Sequence, residues 1–269
     1  MAITTLDGAL AGMQPPRDFI KVLTPTLVAG RPHSLFYLAG IPAPAVSPTP
    51  GIGGAVLTSY AGQIPFDNPA GGLSTYLARL QAGATIAGTL WLCDRLWHNS
   101  GIDETNTGEQ TFTDSAQIPA RDMNGANAGN GVFAGVEVSV ATGAGVPTIT
   151  LKYTNEAGTA DKTATGIIPS VASSAIGAFY PIGLAAGDKG IQKAQSIQFS
   201  ATWTQGEVHV VLYRVLAKLE LPLAQVAGAV DAFTGGFVKM YANTVPFLIF
   251  VPSTTTATVV QGHVIWSQG

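Results

Sequence analysis

Charge is what this sequence has least of. Only 11% of its 269 residues are Asp, Glu, Lys or Arg, where about a quarter is usual for a soluble domain. The shortage affects both signs, with 13 basic against 16 acidic side chains and a net charge of −3. Arg17, Lys21, Arg31, Arg79, Arg95, Arg121 and Lys152 stand singly rather than in a stripe, which excludes the basic footprint of a nucleic-acid surface. Cysteine is nearly absent too, and with Cys93 alone no intrachain disulfide can form. No run approaches the roughly 18–20 apolar residues that a spanning helix needs. The most apolar stretch, residues 245–251, is short and contains Pro246. The opening Met-Ala-Ile-Thr-Thr-Leu-Asp lacks a basic stretch ahead of an apolar core, so no secretory leader is expected. No Asn-x-Ser/Thr acceptor occurs. Synthesis and assembly in a reducing cytoplasm follow as the expectation. With no membrane to account for so neutral a chain, much of its surface is expected to face other protein.

Glycine (32) and proline (17) are abundant, and 46% of the chain is hydrophobic, ample for a core. Residues 1–56 read as an extended N-terminal arm. Pro15, Pro16, Pro25, Pro32, Pro42, Pro44, Pro48 and Pro50 fall among Ala, Ser, Thr and Gly, and proline both fixes φ and removes a donor. Two apolar runs, residues 19–23 and 35–41, interrupt it. A solvated linker rarely carries Phe19, Ile20, Phe36 and Tyr37, so an arm that orders on a neighbouring subunit is expected. Residues 57–269 form the body. Within it, residues 73–83 place Leu73, Tyr76, Leu77 and Leu80 at helical spacing between Gly72 and Gly83, predicting a helix. Residues 89–98 read as a buried strand and 103–131 as a polar loop with Asp103, Glu104, Glu109 and Asp114.

From Val132 onward a two-residue period dominates, and this is the clearest β region, residues 132–269. Val136-Glu-Val-Ser-Val and Ile149-Thr-Leu-Lys-Tyr alternate cleanly, and Asn155-Glu-Ala-Gly closes a hairpin toward residues 162–168. Residues 197–203 are expected to meet 208–216 across Gln205-Gly206, and 247–251 to meet 258–266 across a Ser/Thr turn. Residues 221–230 read as one short helix. The fold class is therefore mainly β: an antiparallel β-sandwich or jelly-roll-like body carrying an extended Pro/Gly-rich arm.

Motifs for chemistry fail one by one. Gly51-Ile-Gly-Gly-Ala-Val begins like a dinucleotide loop, but Val56 stands where the third glycine belongs and no strand precedes it. Residues 122–130 carry Asp122, Asn124, Asn127 and Asn130, a calcium-like oxygen set. The twelfth place of an EF-hand loop, which needs a bidentate Glu, is Phe133. Asp94 and His98 suggest a base and its orienter, yet in a regular strand they share a face about 13 Å apart. A polar Asp94–Arg95 pair at a sheet end is the simpler reading. His33, His209 and His263 stand alone, His209 on the solvated or subunit-facing side of its strand. No Gly-x-Ser-x-Gly elbow occurs, and Cys93 sits in an apolar run as an inert small hydrophobe. No enzyme activity, cofactor or metal is expected.

Three segments carry a resemblance. Leu90-Trp-Leu-Cys-Asp-Arg-Leu-Trp-His-Asn-Ser-Gly, then Asp114-Ser-Ala-Gln-Ile-Pro-Ala-Arg-Asp-Met-Asn-Gly, then Val132-Phe-Ala-Gly-Val-Glu-Val through Leu216-Ala-Lys-Leu-Glu-Leu-Pro resemble virion structural proteins of tailed bacteriophages, over residues 55–225. The resemblance implies synthesis in a host cytoplasm, location in the virion, self-association and no catalytic residues. A head decoration (cement) protein that stabilises a capsid through its arm and β body is the first expectation, partnered by itself, as a trimer, and by the major capsid protein or other virion proteins. A tail, neck or baseplate component is the rival. A carbohydrate-binding β module, stacking sugars on Trp91, Trp97, Trp203 or Trp266, is the other class. Phe19, Ile20, Phe36, Tyr37, Asp94 and Arg95 are the expected assembly contacts. Neither nucleic acid nor membrane is an expected partner.

Overall fold

The computed structural model describes residue 3 and residues 5–113 and 116–269. Its strands in chain order are β1 (Arg17–Leu23), β2 (His33–Ser34), β3 (Gly40–Ile41), β4 (Ala55–Val56), β5 (Thr75–Ala84), β6 (Gly88–His98), β7 (Gln110–Thr111), β8 (Val132–Val140) and β9 (Ile149–Asn155). They continue as β10 (Lys162–Thr165), β11 (Phe179–Pro181), β12 (Ile191–Phe199), β13 (Glu207–Leu221), β14 (Gly228–Asp231), β15 (Lys239–Met240), β16 (Pro246–Pro252) and β17 (Thr258–Gln268). Two short helices, α1 (Leu6–Ala11) and α2 (Ala232–Gly235), complete the elements. The fold is mainly antiparallel β, as the alternating pattern predicts.

Three sheets result. The central one runs β11-β8-β13-β6-β16-β2, with β4 also on β6. A second, sheet A, runs β14-β5-β17-β1-β3, with β15 also on β5, and a third runs β10-β9-β12-β7. The long strands β6 and β13 let one face of the central sheet cover both others. At one end Val132, Val136, Leu212 and Trp97 meet Leu151, Tyr153 and Ile197 of the third sheet. At the other, Leu90, Leu92, Leu219 and Phe250 meet Phe19, Leu80, Val260 and Trp266 of sheet A. The reverse face carries Cys93, Val211, Tyr213, Phe247 and Ile249, roofed by Phe36 with Tyr37 and Tyr60.

The N-terminal segment is thus part of the body and not an arm outside it. Its β1 pairs with β17 along all seven residues, Arg17↔Val264 to Leu23↔Thr258. Phe19, Leu23, Leu35, Phe36 and Leu38 are buried in this chain's own cores. The prolines do keep the segment extended, but its apolar side chains find their partners within the same chain. Residue 56 marks no break in packing, since β4 pairs with β6 at Ala55↔His98 and Val56↔Trp97.

The helix expected over 73–83 is instead β5, bonded to β17 on one side and β14 and β15 on the other. A bulge explains the misleading spacing. The register jumps from Arg79↔Ile265 to Leu77↔Trp266, leaving Ala78 as an extra residue, so Leu77 and Leu80 face the core three positions apart. Residues 221–230 are not helical either; they finish β13, turn and begin β14. The 155–158 hairpin forms as expected, with Lys162↔Tyr153 in register. The other two hairpins do not. β12 and β13 belong to facing sheets, as do β16 and β17, so their connections cross between layers rather than closing a ladder.

Candidate functional site

Sheet A leaves one face to solvent, and cross-strand register arranges its side chains in rows. Asp18 of β1 stands opposite His263 of β17, which stands opposite Gln81 of β5 and then Ala229 of β14. In the next row Ile41 lies opposite Ile20, Ile20 opposite Gln261, and Gln261 opposite Gly83. Small residues at Gly83 and Ala227 hollow this face. The result is an open trough of about 810 Å3, bordered by Asp18, Ile20, Ile41, Gln225, Gln261 and His263. Gln225 stands at one side with φ of +61°, uncommon for a residue with a Cβ, and its backbone N–H donates to Ala84 O at 2.7 Å. Composition gave no sign of this site, because its residues are separated by up to about 245 positions and only the β1–β17 and β5–β17 registers unite them. His263, isolated in sequence, lies within it.

The charged cluster of β6 is built differently from its sequence reading. Between Trp97↔Leu212 and Arg95↔Tyr213 the register shifts, making Leu96 a bulge. The bulge turns His98 onto the face of Arg95 and away from Asp94. Arg95 Nε donates to His98 Nδ1 at 3.1 Å, and the guanidinium pairs with Glu137 at 2.7 Å while lying 4.5 Å over the Phe36 ring. Asp94, on the opposite face between the two cores, pairs with Arg121 Nε at 3.2 Å and accepts from Val245 N. Burial pushes the Asp94 carboxyl above its ordinary value, against the opposing pull of Arg121 and Arg214. Asp94 and Arg95 are therefore not partners, and neither lies at a sheet end.

Histidines are also placed inside. His209 is buried rather than solvated, with Nδ1 against Asn99 O at 2.9 Å and Nε2 against Ser139 Oγ at 2.5 Å. Burial holds His209 below its ordinary value, and burial with the Arg95 charge holds His98 down to about 2. His33 is held to about 4 by burial and by Arg31. Burial also raises the Cys93 thiol.

Of the expected contact residues, Phe19, Phe36, Asp94 and Arg95 are fully buried in their own chain and present nothing to a neighbour. Tyr37 is half-buried and receives a bond from Arg95 Nη2; Ile20 is exposed on the trough. The indoles of Trp97, Trp203 and Trp266 are buried and offer no stacking face, while Trp91 is half-buried with the Lys218 ammonium 4.4 Å over its ring.

The Asn/Gly run after Asp122 is an ordered turn. One Asp122 oxygen accepts from Asn124 N and Ala126 N, the other from Gly129 N and Asn130 N. Both oxygens are thereby taken by backbone donors. Glu109 is engaged by Lys152 and Ser196, and Asp103 by Thr105; Asp114 lies outside the described residues. Among the described residues, no group of three or more His, Cys, Asp or Glu side chains could hold a metal ion. No helix is long and apolar enough to cross a membrane.

No protein-family model and no curated protein matches the chain. Among solved structures it is similar to infectious bursal disease virus of the Gt strain, at 12% identity over 93% of this chain and 77% of that one, with a TM-score of 0.22. It is also similar to the VP2 subviral particle of infectious bursal disease virus, at 9% identity over 95% and 80%, with a TM-score of 0.18. TM-scores this low do not describe a common fold, and the functional reading rests on the chain itself.

Proposed function

We propose that this chain is a structural, non-enzymatic subunit of a virion, most specifically a head decoration protein that binds copies of itself and the shell. One observation carries the reading: a chain poor in charge buries nearly a third of its charged side chains and leaves several large apolar ones exposed. Lys21, Arg31, Asp94, Arg95, Glu104, Arg121, Asp122, Glu137 and Arg214 are buried, nine of the 29 charged residues. Leu6, Leu10, Ile41, Val46, Met123, Val146, Ile167, Leu223 and Phe233 are each more than half exposed. Charge left on the surface keeps a protein soluble and monomeric, and exposed apolar patches mark protein–protein contacts. A chain with little charge left outside and several exposed apolar side chains fits an assembled subunit.

Among virion roles, a major shell protein would call for a long amphipathic helix, and the longer described helix has six residues. A tail, neck or baseplate component is the rival; the folded-back N-terminal segment removes the protruding arm expected of either role, and the short edge strands β2, β3, β7 and β10, two to four residues long, leave the chain's contacts to its faces. The test is immunogold electron microscopy of purified particles with antibody raised against this chain. Label over the head is expected. Label confined to the tail or neck would promote the rival, and particles lacking the chain by mass spectrometry would overturn the virion reading.

A further inference from the structure

We propose that the trough on the solvent face of sheet A binds a neutral, polyhydroxylated ligand, a short uncharged glycan. The first observation is Gly83. It sits inside β5 with an ordinary backbone, and a Cβ added there would meet nothing closer than Ala227 at 3.7 Å. Glycine weakens a strand interior relative to alanine, and it often marks a place where a ligand or another backbone approaches closely. Neighbouring strand glycines have an internal explanation: a Cβ on Gly262 would lie 2.0 Å from Gln81 O, and one on Gly88 would strike Phe250 and Val251. Gly83 has none, and a side chain there would fill the trough.

The second observation is the chemistry around that space. Asp18, Gln225, Gln261 and His263 point polar groups at it and make no side-chain hydrogen bond within the described chain. Gln81 Oε1 is held by the Arg79 guanidinium at 2.8 Å, which leaves its Nε2 free to donate. Amides offer both a donor and an acceptor, a carboxylate accepts, and the imidazole brings two ring nitrogens, a set that hydroxyl groups satisfy. No lysine or arginine is among the lining residues, and the Arg79 guanidinium at the border is engaged with Gln81 Oε1, which disfavours an anionic ligand. Ile20, Ile41 and Val259 supply aliphatic surface for the C–H face of a sugar ring. A solvated sheet face would account for the polar groups, but not for the hollow kept at Gly83 or for the left-handed backbone of Gln225.

The test is saturation-transfer NMR of the full chain against a panel of neutral trisaccharides built from glucose, galactose, mannose and N-acetylglucosamine, with charged sialylated and sulfated counterparts. At least one neutral sugar is expected to bind, with loss of the signal in Gly83→Leu and at least tenfold weaker binding in Gln261→Ala. Gly83→Leu should fold with an unchanged or higher melting temperature, and Gln261→Ala reports on the site without filling it. Absence of binding across the panel, preference for the charged sugars, or binding that survives Gly83→Leu would each overturn the proposal. If no sugar binds and Gly83→Leu instead dissociates an oligomer in light scattering, the face is a subunit contact. The virion reading stands or falls separately, on the location of label in the particle.

Discussion

His33, His98 and His209 each sit where burial disfavours a protonated imidazole: His33 beside Arg31, His98 against Arg95, and His209 near Arg95 with Glu137 pulling the other way. Their folded-state values lie below the ordinary value of about 6.5, so on acidification the unfolded chain takes up protons that the folded chain refuses. Stability is therefore complete above about pH 6.5 and is lost as pH falls through that value toward the folded ones. For His33, held to about 4 and nearly fully buried, the loss is on the order of 3 kcal/mol once the pH is below 4. Urea midpoints measured from pH 7 to pH 4 should fall steadily. His98→Gln, which keeps an acceptor for Arg95 Nε, should flatten that decline, and an unchanged slope would remove His98 from the account. The sequence displays three scattered histidines; only packing makes them acid-labile.

Bulges decide what the strands present. The extra residue at Ala78 makes β5 imitate a helix in sequence, and the one at Leu96 separates Asp94 from His98. A single insertion reverses every later side chain in a period-two element, so both misreadings share one cause. The N-terminal segment differs from its sequence reading for another reason: β1 supplies an interior strand of sheet A between β17 and β3. Deleting residues 1–45 would remove that strand together with Leu35, Phe36 and Leu38 from two cores. The truncated chain is expected to lose cooperative unfolding, and Phe19→Ala alone should cost about 3–5 kcal/mol. Both are read from circular-dichroism melts; a truncated chain that melts cooperatively near the full-length temperature would restore the separate arm.

At the scale of the molecule, burying nine charges leaves a surface poorer in charge than the composition already suggests. Phe233 is 80% exposed on a turn fixed by its capping box, in which Asp231 accepts from Phe233 N and Thr234 N. Such an aromatic, presented to solvent on a capped turn, is suited to a partner's surface. The isolated chain is expected to self-associate, with a trimer as the expected order, and Phe233→Asp together with Leu223→Asp should weaken association at least tenfold. Light scattering across a wide concentration range measures this, and a wild-type monomer throughout would contradict it.

The sequence by itself determined the class. Alternation of Val, Ile, Thr and aromatic residues from Val132 onward, the Asn155–Gly158 turn and the lack of any long apolar run lead to an antiparallel β body without further information. It also placed Cys93 and the tryptophans of β6 and β17 in apolar surroundings. Which strands pair, which face a residue joins, and where the N-terminal segment goes were decided only in three dimensions. Pairing between β1 and β17, some 240 positions apart, depends on loop closure and shared burial rather than on local preference. The trough has the same origin, because Asp18, Gln81 and His263 become neighbours only when three distant strands settle into one register.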